Sequence, residues 1–364
     1  MKTVAFACST KKDLFRIAPI LVKLKEMNCD ISPIVCYCGS TIRTDSFPIE
    51  YQQLGIPNRT YHYEIHDVTA NDQINQLMQH FEETLIHNKV DLIVLPSYYY
   101  LSVAYCIVGS KLEIPICNLD AGLRNSEEKD RLKNYRLVID SLTTLFFCTE
   151  VLMMQNLLKE KPDTKLIYKA GNPLYECLNA MEPMISAKDA KTDHPSSGFA
   201  LAYLFTDPAS LENQKYEIIL EALKYIGKRY KILMPVPSVS VGVKLESAII
   251  RDELNMKLVG RLEYPEYLAF MKKAQFIITD SCTIQEESSF FNIPCLSLQE
   301  FAERPSTVDK GTNIPVGLDI ELIRKKVDDL SDSDGNGGQL NLVLLDTSAS
   351  EYIISKISEF LFAD

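Results

Sequence analysis

Apolar and polar positions along this chain of 364 residues alternate between two patterns. Short, nearly continuous apolar runs occupy residues 3–8, 31–37, 91–95, 114–119 and 145–148. Runs of that length and composition predict strands buried on both faces. Between them, over residues 14–27, 74–87 and 103–111, apolar side chains return every three or four positions. That spacing predicts helices with one face on a core. The strand-helix-strand rhythm in turn predicts a parallel sheet covered on both sides.

The rhythm pauses at the polar stretch 182–197, which carries Pro183, His194 and Pro195 and reads as an interdomain linker with room for a helical turn. It then resumes with predicted strands at 199–205, 230–235, 257–259, 276–279 and 295–297, and with helices at 213–228 and 264–273. Residues 331–338, Ser-Asp-Ser-Asp-Gly-Asn-Gly-Gly, have the composition of a loop. A last amphipathic helix is predicted at 349–362. No internal repeat interrupts this order. The expected fold class is α/β, with two doubly wound domains and a ligand outside the carboxyl ends of the strands. The length suits two cores better than one.

Composition narrows the function. Hydrophobic residues make up 46% and charged residues 24% of the chain, as in globular proteins. Every apolar run is too short to span a bilayer. The first run is followed at once by Thr10 to Asp13, so it reads as a buried strand rather than a leader. The ten cysteines are scattered through apolar runs, and Cys36 and Cys38 lack a second close pair. They read as structural thiols of a reducing, cytoplasmic setting, with no metal site. A net charge of −11 without a basic run disfavours nucleic acid. An anionic ligand remains compatible, because helix N-termini and a few placed cations make local positive sites.

The most informative stretch is 276–317. A predicted strand ends at Asp280, and Ser281, Cys282 and Thr283 open a helix whose free N–H groups suit a phosphate. Glu287, one turn on, has the chemistry to accept hydrogen bonds from ribose hydroxyls. The same residues also read as an ordinary N-capped helix with an exposed acidic first turn.

This stretch resembles the signature of the non-hydrolysing UDP-N-acetylglucosamine 2-epimerases, which runs D-S-G-G-I-Q-E-E, then E-R-P, then G-T. Here the run is Asp280-Ser281-Cys282-Thr283-Ile284-Gln285-Glu286-Glu287, then Glu303-Arg304-Pro305, then Gly311-Thr312. Other segments agree in order. Asp120-Ala121-Gly122-Leu123-Arg124 resembles the family's E-A-G-L-R, and Phe147-Cys148-Thr149-Glu150 its F-A-P-T-E. Gly171-Asn172-Pro173 resembles its G-N-T, and the stretch from Thr10 to Pro19 its T-R-P-E-x-x-K-x-A-P. The resemblance covers nearly the whole chain.

It implies two Rossmann-like domains in the glycosyltransferase-B arrangement, with the ligand in the interdomain cleft. The domains would be 1–180, with helix 349–364 packing back on it, and a UDP-binding domain at 196–345. The implied reaction inverts C2 of a UDP-N-acetylhexosamine by eliminating and re-adding UDP. A UDP-sugar-binding protein without epimerase activity, or a hydrolase or transferase on the same scaffold, is the alternative. The resemblance further implies a UDP-sugar as partner, no cofactor, no membrane partner and a homodimer. Binding positions would be Lys11, Arg16, Arg124, Tyr267, Ser281, Cys282, Thr283, Glu287 and Arg304.

The acid/base positions depart from the family. Its G-D-T aspartate is matched by Tyr98, its T-H-R histidine by Asp207, and its E-A-G-L-R glutamate by Asp120. Asp120 is one methylene shorter, a retraction of roughly 1.5 Å. The family's P-E-E-x-N-R glutamate falls near Leu132 or Lys133, with Glu128 and Asp130 close by. The expected catalytic set is therefore Asp120, Tyr98 and Asp207. Tyr98 also reads as packing in a tyrosine-rich loop, and Asp207 as a helix N-cap.

Overall fold

A computed structural model of the protein describes residues 1–38, 53–56, 60–65, 69–124, 132–189, 198–204, 213–236, 255–260, 262–300, 302, 304–332 and 348–363. The chain forms two compact units, Met1–Ala180 with Asp346–Asp364, and Met181–Leu345.

In the first unit the described strands are β1 (Lys2–Cys8), β2 (Ile31–Tyr37), β3 (Thr60–His62), β4 (Leu92–Leu95), β5 (Ile116–Asn118), β6 (Leu145–Cys148) and β7 (Ile167–Lys169). They pair in parallel in the order β3-β2-β1-β4-β5-β6-β7. The order reverses between β1 and β4, and such a switch point opens a crevice at the carboxyl ends of those strands. Helix α1 (Lys11–Glu26) leaves that crevice. Thr10 caps it by accepting from the Asp13 amide, and the Asp13 carboxylate accepts in turn from the Thr10 amide, closing a capping box. The following helices are α2 (Ala70–Asn88), α3 (Tyr100–Lys111), α4 (Lys133–Leu142), α5 (Val151–Glu160) and α6 (Pro173–Ala180). The last helix of the chain, named α13 below (Ala349–Leu361), packs on α1 and α6. It buries Ile353, Ile354 and Ile357, and the Ser350 amide donates to Glu176 at 2.9 Å.

The second unit repeats the plan. Its described strands are β8 (Phe199–Tyr203), β9 (Lys231–Pro235), β10 (Met256–Val259), β11 (Phe276–Thr279), β12 (Cys295–Ser297) and β13 (Asn313–Pro315). They form a parallel sheet in the order β10-β9-β8-β11-β12-β13, with the switch point between β8 and β11. Its helices are α7 (Glu182–Asp189), α8 (Asn213–Gly227), α9 (Tyr264–Lys273), α10 (Cys282–Phe290), α11 (Ser306–Asp309) and α12 (Ile320–Asp332). No helix among the described residues is long and apolar enough to cross a membrane.

Two sequence expectations change. The stretch read as a linker begins with α7, a two-turn helix rather than a single turn. It is held on α9 by the ion pairs Glu182–Lys272 and Lys188–Glu263, and it buries Ile185. Of the stretch 331–338 read as a loop, Ser331 and Asp332 instead end α12, because the helix runs on past its last apolar residues; residues 190–197 and 333–338 lie outside the described residues. Strands β3, β7 and β13 went unread because three residues are too few to display a period.

Candidate functional site

Segments far apart in the sequence meet at Asp120, which follows β5 and is buried. Arg16, from the second turn of α1, brings Nη1 to 3.1 Å from Asp120 Oδ2. The same Nη1 donates to the Pro96 carbonyl at 3.2 Å, in the loop that carries Tyr98. Thr149, after β6, donates to Asp120 Oδ1 at 3.4 Å. The segments containing Thr10–Pro19, Pro96–Tyr98, Asp120–Arg124 and Phe147–Glu150 thus converge at the carboxyl ends of neighbouring strands. Lys11, the first residue of α1, sits at the same end of the sheet.

Beside Asp120 lies a second buried carboxylate that sequence reasoning missed. Asp140, on the inner face of α4, accepts from Asn118 Nδ2 at 2.9 Å, from the Gly122 amide at 3.1 Å and from Arg124 Nη1 at 2.7 Å. The Tyr98 hydroxyl lies 3.4 Å from both of its oxygens. Burial raises the Asp140 carboxyl above the ordinary range, against the pull of Arg124 and its hydrogen bonds. Tyr98 is raised well above a normal phenol, first by burial and then by the charges of Asp140 and Asp120. It is therefore a neutral hydroxyl donor at physiological pH. Arg124 reaches outward to Glu160 as well, through two bonds of 2.9 and 2.7 Å. Its hydrogen bond is the main cause of the lowered Glu160 carboxyl.

Gly122 shows why this turn needs glycine. Its φ is +84°, and a Cβ there would stand 2.3 Å from the Met153 carbonyl. Asp13 is a third buried carboxylate at this end. It accepts from the Ser9 and Thr10 amides at 2.8 and 2.9 Å and from Ser97 Oγ at 2.5 Å. It thereby ties the start of α1 to the loop after β4.

In the second unit the corresponding switch point is built around α10. Ser281 is its N-cap without a side-chain capping bond, and the Ser281 amide donates to Thr279 Oγ1 at 3.1 Å. Cys282 and Thr283 begin the helix and are partly exposed. Behind them Gln285 donates to Ser297 at 2.8 Å and to Gln299 at 3.1 Å, and accepts from Asn313 at 3.0 Å. Glu286 and Glu287 are both buried, so the expected alternative of an exposed acidic turn does not hold. Glu287 accepts from the Tyr264 hydroxyl at 2.7 Å. Tyr264 stacks on Tyr267 at 6.2 Å, and Tyr267 meets Tyr203 edge-on at 4.8 Å. Arg304 is buried with Nε 2.9 Å from Glu286. Gly311 is required by packing, since a Cβ would come within 2.5 Å of the Thr307 carbonyl.

Asp207, Glu128, Asp130 and Glu303 lie outside the described residues. The structure adds Asp13, Asn118, Asp140 and Tyr264 to the residues singled out from sequence. The local signal for Asp140 is weak: the buried residues of α4 are Arg136, Ile139 and Asp140, so its inner face is not an apolar stripe against which one carboxylate would stand out.

Residues 23–358 match the family model described as UDP-N-acetylglucosamine 2-epimerase. A UDP-N-acetylglucosamine 2-epimerase of Methanocaldococcus jannaschii is 25% identical over 334 residues, covering 88% of this chain and 89% of that protein. A UDP-2,3-diacetamido-2,3-dideoxy-D-glucuronate 2-epimerase of Pseudomonas aeruginosa is 24% identical over 302 residues, covering 80% and 82%. The solved M. jannaschii UDP-GlcNAc 2-epimerase, in complex with UDP-GlcNAc and UDP, superposes with a TM-score of 0.84 at 22% identity, covering 98% of this chain and 99% of that one. That likeness establishes the shared two-domain α/β fold.

Proposed function

Because the chain belongs to the UDP-N-acetylglucosamine 2-epimerase family, we propose that it inverts C2 of a UDP-N-acetylhexosamine. In this reaction C2 loses its proton while the C1–O bond to UDP breaks, leaving a C1=C2 glycal. A proton then returns to the opposite face of C2, and UDP re-adds at C1. The chemistry needs an acid/base group at C2 and positive charge at the leaving diphosphate.

Asp120 is assigned the acid/base role. Its support is the convergence of Arg16, itself held by the Pro96 carbonyl, and Thr149 on one buried carboxylate at the strand ends, and this observation carries the reading. Arg16 and Lys11 are assigned to the diphosphate. Tyr98, neutral and hydrogen-bonded to Asp140, is assigned the role of a hydroxyl that orders the site. Asp207 is the candidate second acid/base group. In the second unit Ser281, Cys282 and Thr283 would receive phosphate at the start of α10, Glu287 the ribose, and Tyr267 with Tyr203 the base. Arg124 would hold the turn that carries Asp120 in shape through Asp140, and Arg304 would hold α10 in shape through Glu286.

The test is proton NMR of UDP-N-acetylglucosamine with the protein in deuterated water. The expected result is loss of the sugar H2 signal and growth of UDP-N-acetylmannosamine, both slowed at least about 10²-fold by Asp120→Asn. Shifts of the uridine signals without H2 exchange would refute epimerisation of this sugar. A homodimer is part of the proposal. Helices α4 and α5 expose Leu137, Val138, Val151 and Leu152, and sedimentation of the full chain as a monomer would refute it.

A further inference from the structure

The carboxylate of Asp140 lies outside the set that the sequence assigns to chemistry, yet its partners enclose the turn that carries Asp120. Asn118 stands two residues before Asp120 and Gly122 two residues after. Both donate to Asp140, at 2.9 and 3.1 Å. Asn118 also turns its carbonyl oxygen to the Asp120 amide at 3.2 Å. A continuous link therefore runs from Asp140 through the Asn118 side chain to the Asp120 backbone. Arg124, four residues past Asp120, closes the other end on Asp140 at 2.7 Å. From the far side Asn156 of α5 donates to the Gly122 carbonyl at 3.1 Å.

We propose that Asp140 is a positioning residue for Asp120: by accepting from Asn118, Gly122 and Arg124 at once, it fixes the turn that aims the Asp120 carboxylate. The physical need follows from the sequence. Aspartate is shorter than the family's glutamate by one methylene and has one fewer torsion with which to correct its aim, so the backbone must supply the precision. A misplacement of about 1 Å at a reacting group costs on the order of 10²-fold in rate. An acid with three fixed donors around it provides such a hold, whereas an amide at the same place would turn an N–H toward at least one of those donors. The proposal rests on the epimerase reading for its kinetic test and on geometry alone for its spectroscopic one.

The experiment compares wild type, Asp140→Asn, Asp120→Asn and the double variant, all as the full chain, with UDP-N-acetylglucosamine. Asp140→Asn is expected to lower kcat about 10²-fold while KM moves less than about 3-fold. Adding it to Asp120→Asn should cost nothing further, because both act through one group. A kcat within about 3-fold of wild type, or losses that multiply in the double variant, would overturn the proposal. If Asp140→Asn does not fold, Asn118→Leu breaks the same link at its midpoint and carries the same expectations. If wild type shows no C2 exchange, the epimerase reading fails by itself. The positioning inference is then decided by the carboxyl carbon resonance of Asp120, assigned by its loss in Asp120→Asn. Displacement of that resonance in Asp140→Asn supports the hold on Asp120, and an unchanged resonance refutes it.

Discussion

Removing the Arg304 guanidinium tests whether the E-R-P segment acts on the fold or on a ligand. Arg304 and Glu286 are 4% and 2% exposed, with Nε and Oε1 2.9 Å apart. Arg304→Met keeps the length and apolar stem but removes the guanidinium from beside the buried Glu286 carboxylate. Breaking one side of a buried pair costs about 3–5 kcal/mol. In a unit of this size each kcal/mol lowers the melting temperature by about 2–4 °C, so the second unit should melt about 6–20 °C lower. The double change Arg304→Met with Glu286→Leu removes both charges, and similar apolar volume in place of a buried pair is close to neutral. It should therefore recover most of the loss. The chain has no tryptophan, so calorimetry together with far-UV circular dichroism is the appropriate readout. A single variant melting within about 2 °C of wild type, or a double variant no better than either single one, would refute the buried-pair reasoning. Arg304 would then belong with the ligand contacts.

Three further outcomes follow from the geometry. Cys29 and Cys282 are partly exposed, whereas burial pushes Cys36, Cys38, Cys148 and Cys295 up to about 12; alkylation at pH 8 should mark Cys29 and Cys282 first. UDP should protect Cys282 alone, and equal labelling of Cys282 with and without UDP would count against phosphate binding at α10. The raised Asp140 carboxyl means the folded state binds that proton more tightly than the unfolded chain does, so its contribution to stability falls as pH rises from the ordinary carboxylate range through the raised value; urea titrations from pH 4 to 7 should show a flatter decline in Asp140→Asn, and an unchanged slope would refute this. Gly122→Ala combines an unfavourable φ with a clash on the Met153 carbonyl and should cost at least about 1–3 kcal/mol, measured by denaturant midpoint; a neutral effect would show that the turn relaxes freely.

The sequence by itself determined the architecture and most of the candidate residues. Buried parallel strands such as β1, β4 and β11 must be largely apolar, and helices between them must return an apolar face every turn, so both leave a signal in the order of residues. The phosphate-suited turn at Ser281 and the turn at Asp120 were legible for a related reason: each follows a strand whose end is marked by the change from apolar to polar. Short edge strands such as β3, β7 and β13 left no such mark, and α7 was hidden in a polar stretch because its apolar contacts are few. Only the tertiary structure decided which charges face each other. The partners Arg16 and Asp120 are separated by 104 residues and Tyr98 and Asp140 by 42, and nothing in local spacing relates them. The parallel sheet does, by bringing the carboxyl ends of β1, β4, β5 and β6 to one edge, where a buried acid must find its donors among whatever the neighbouring turns supply.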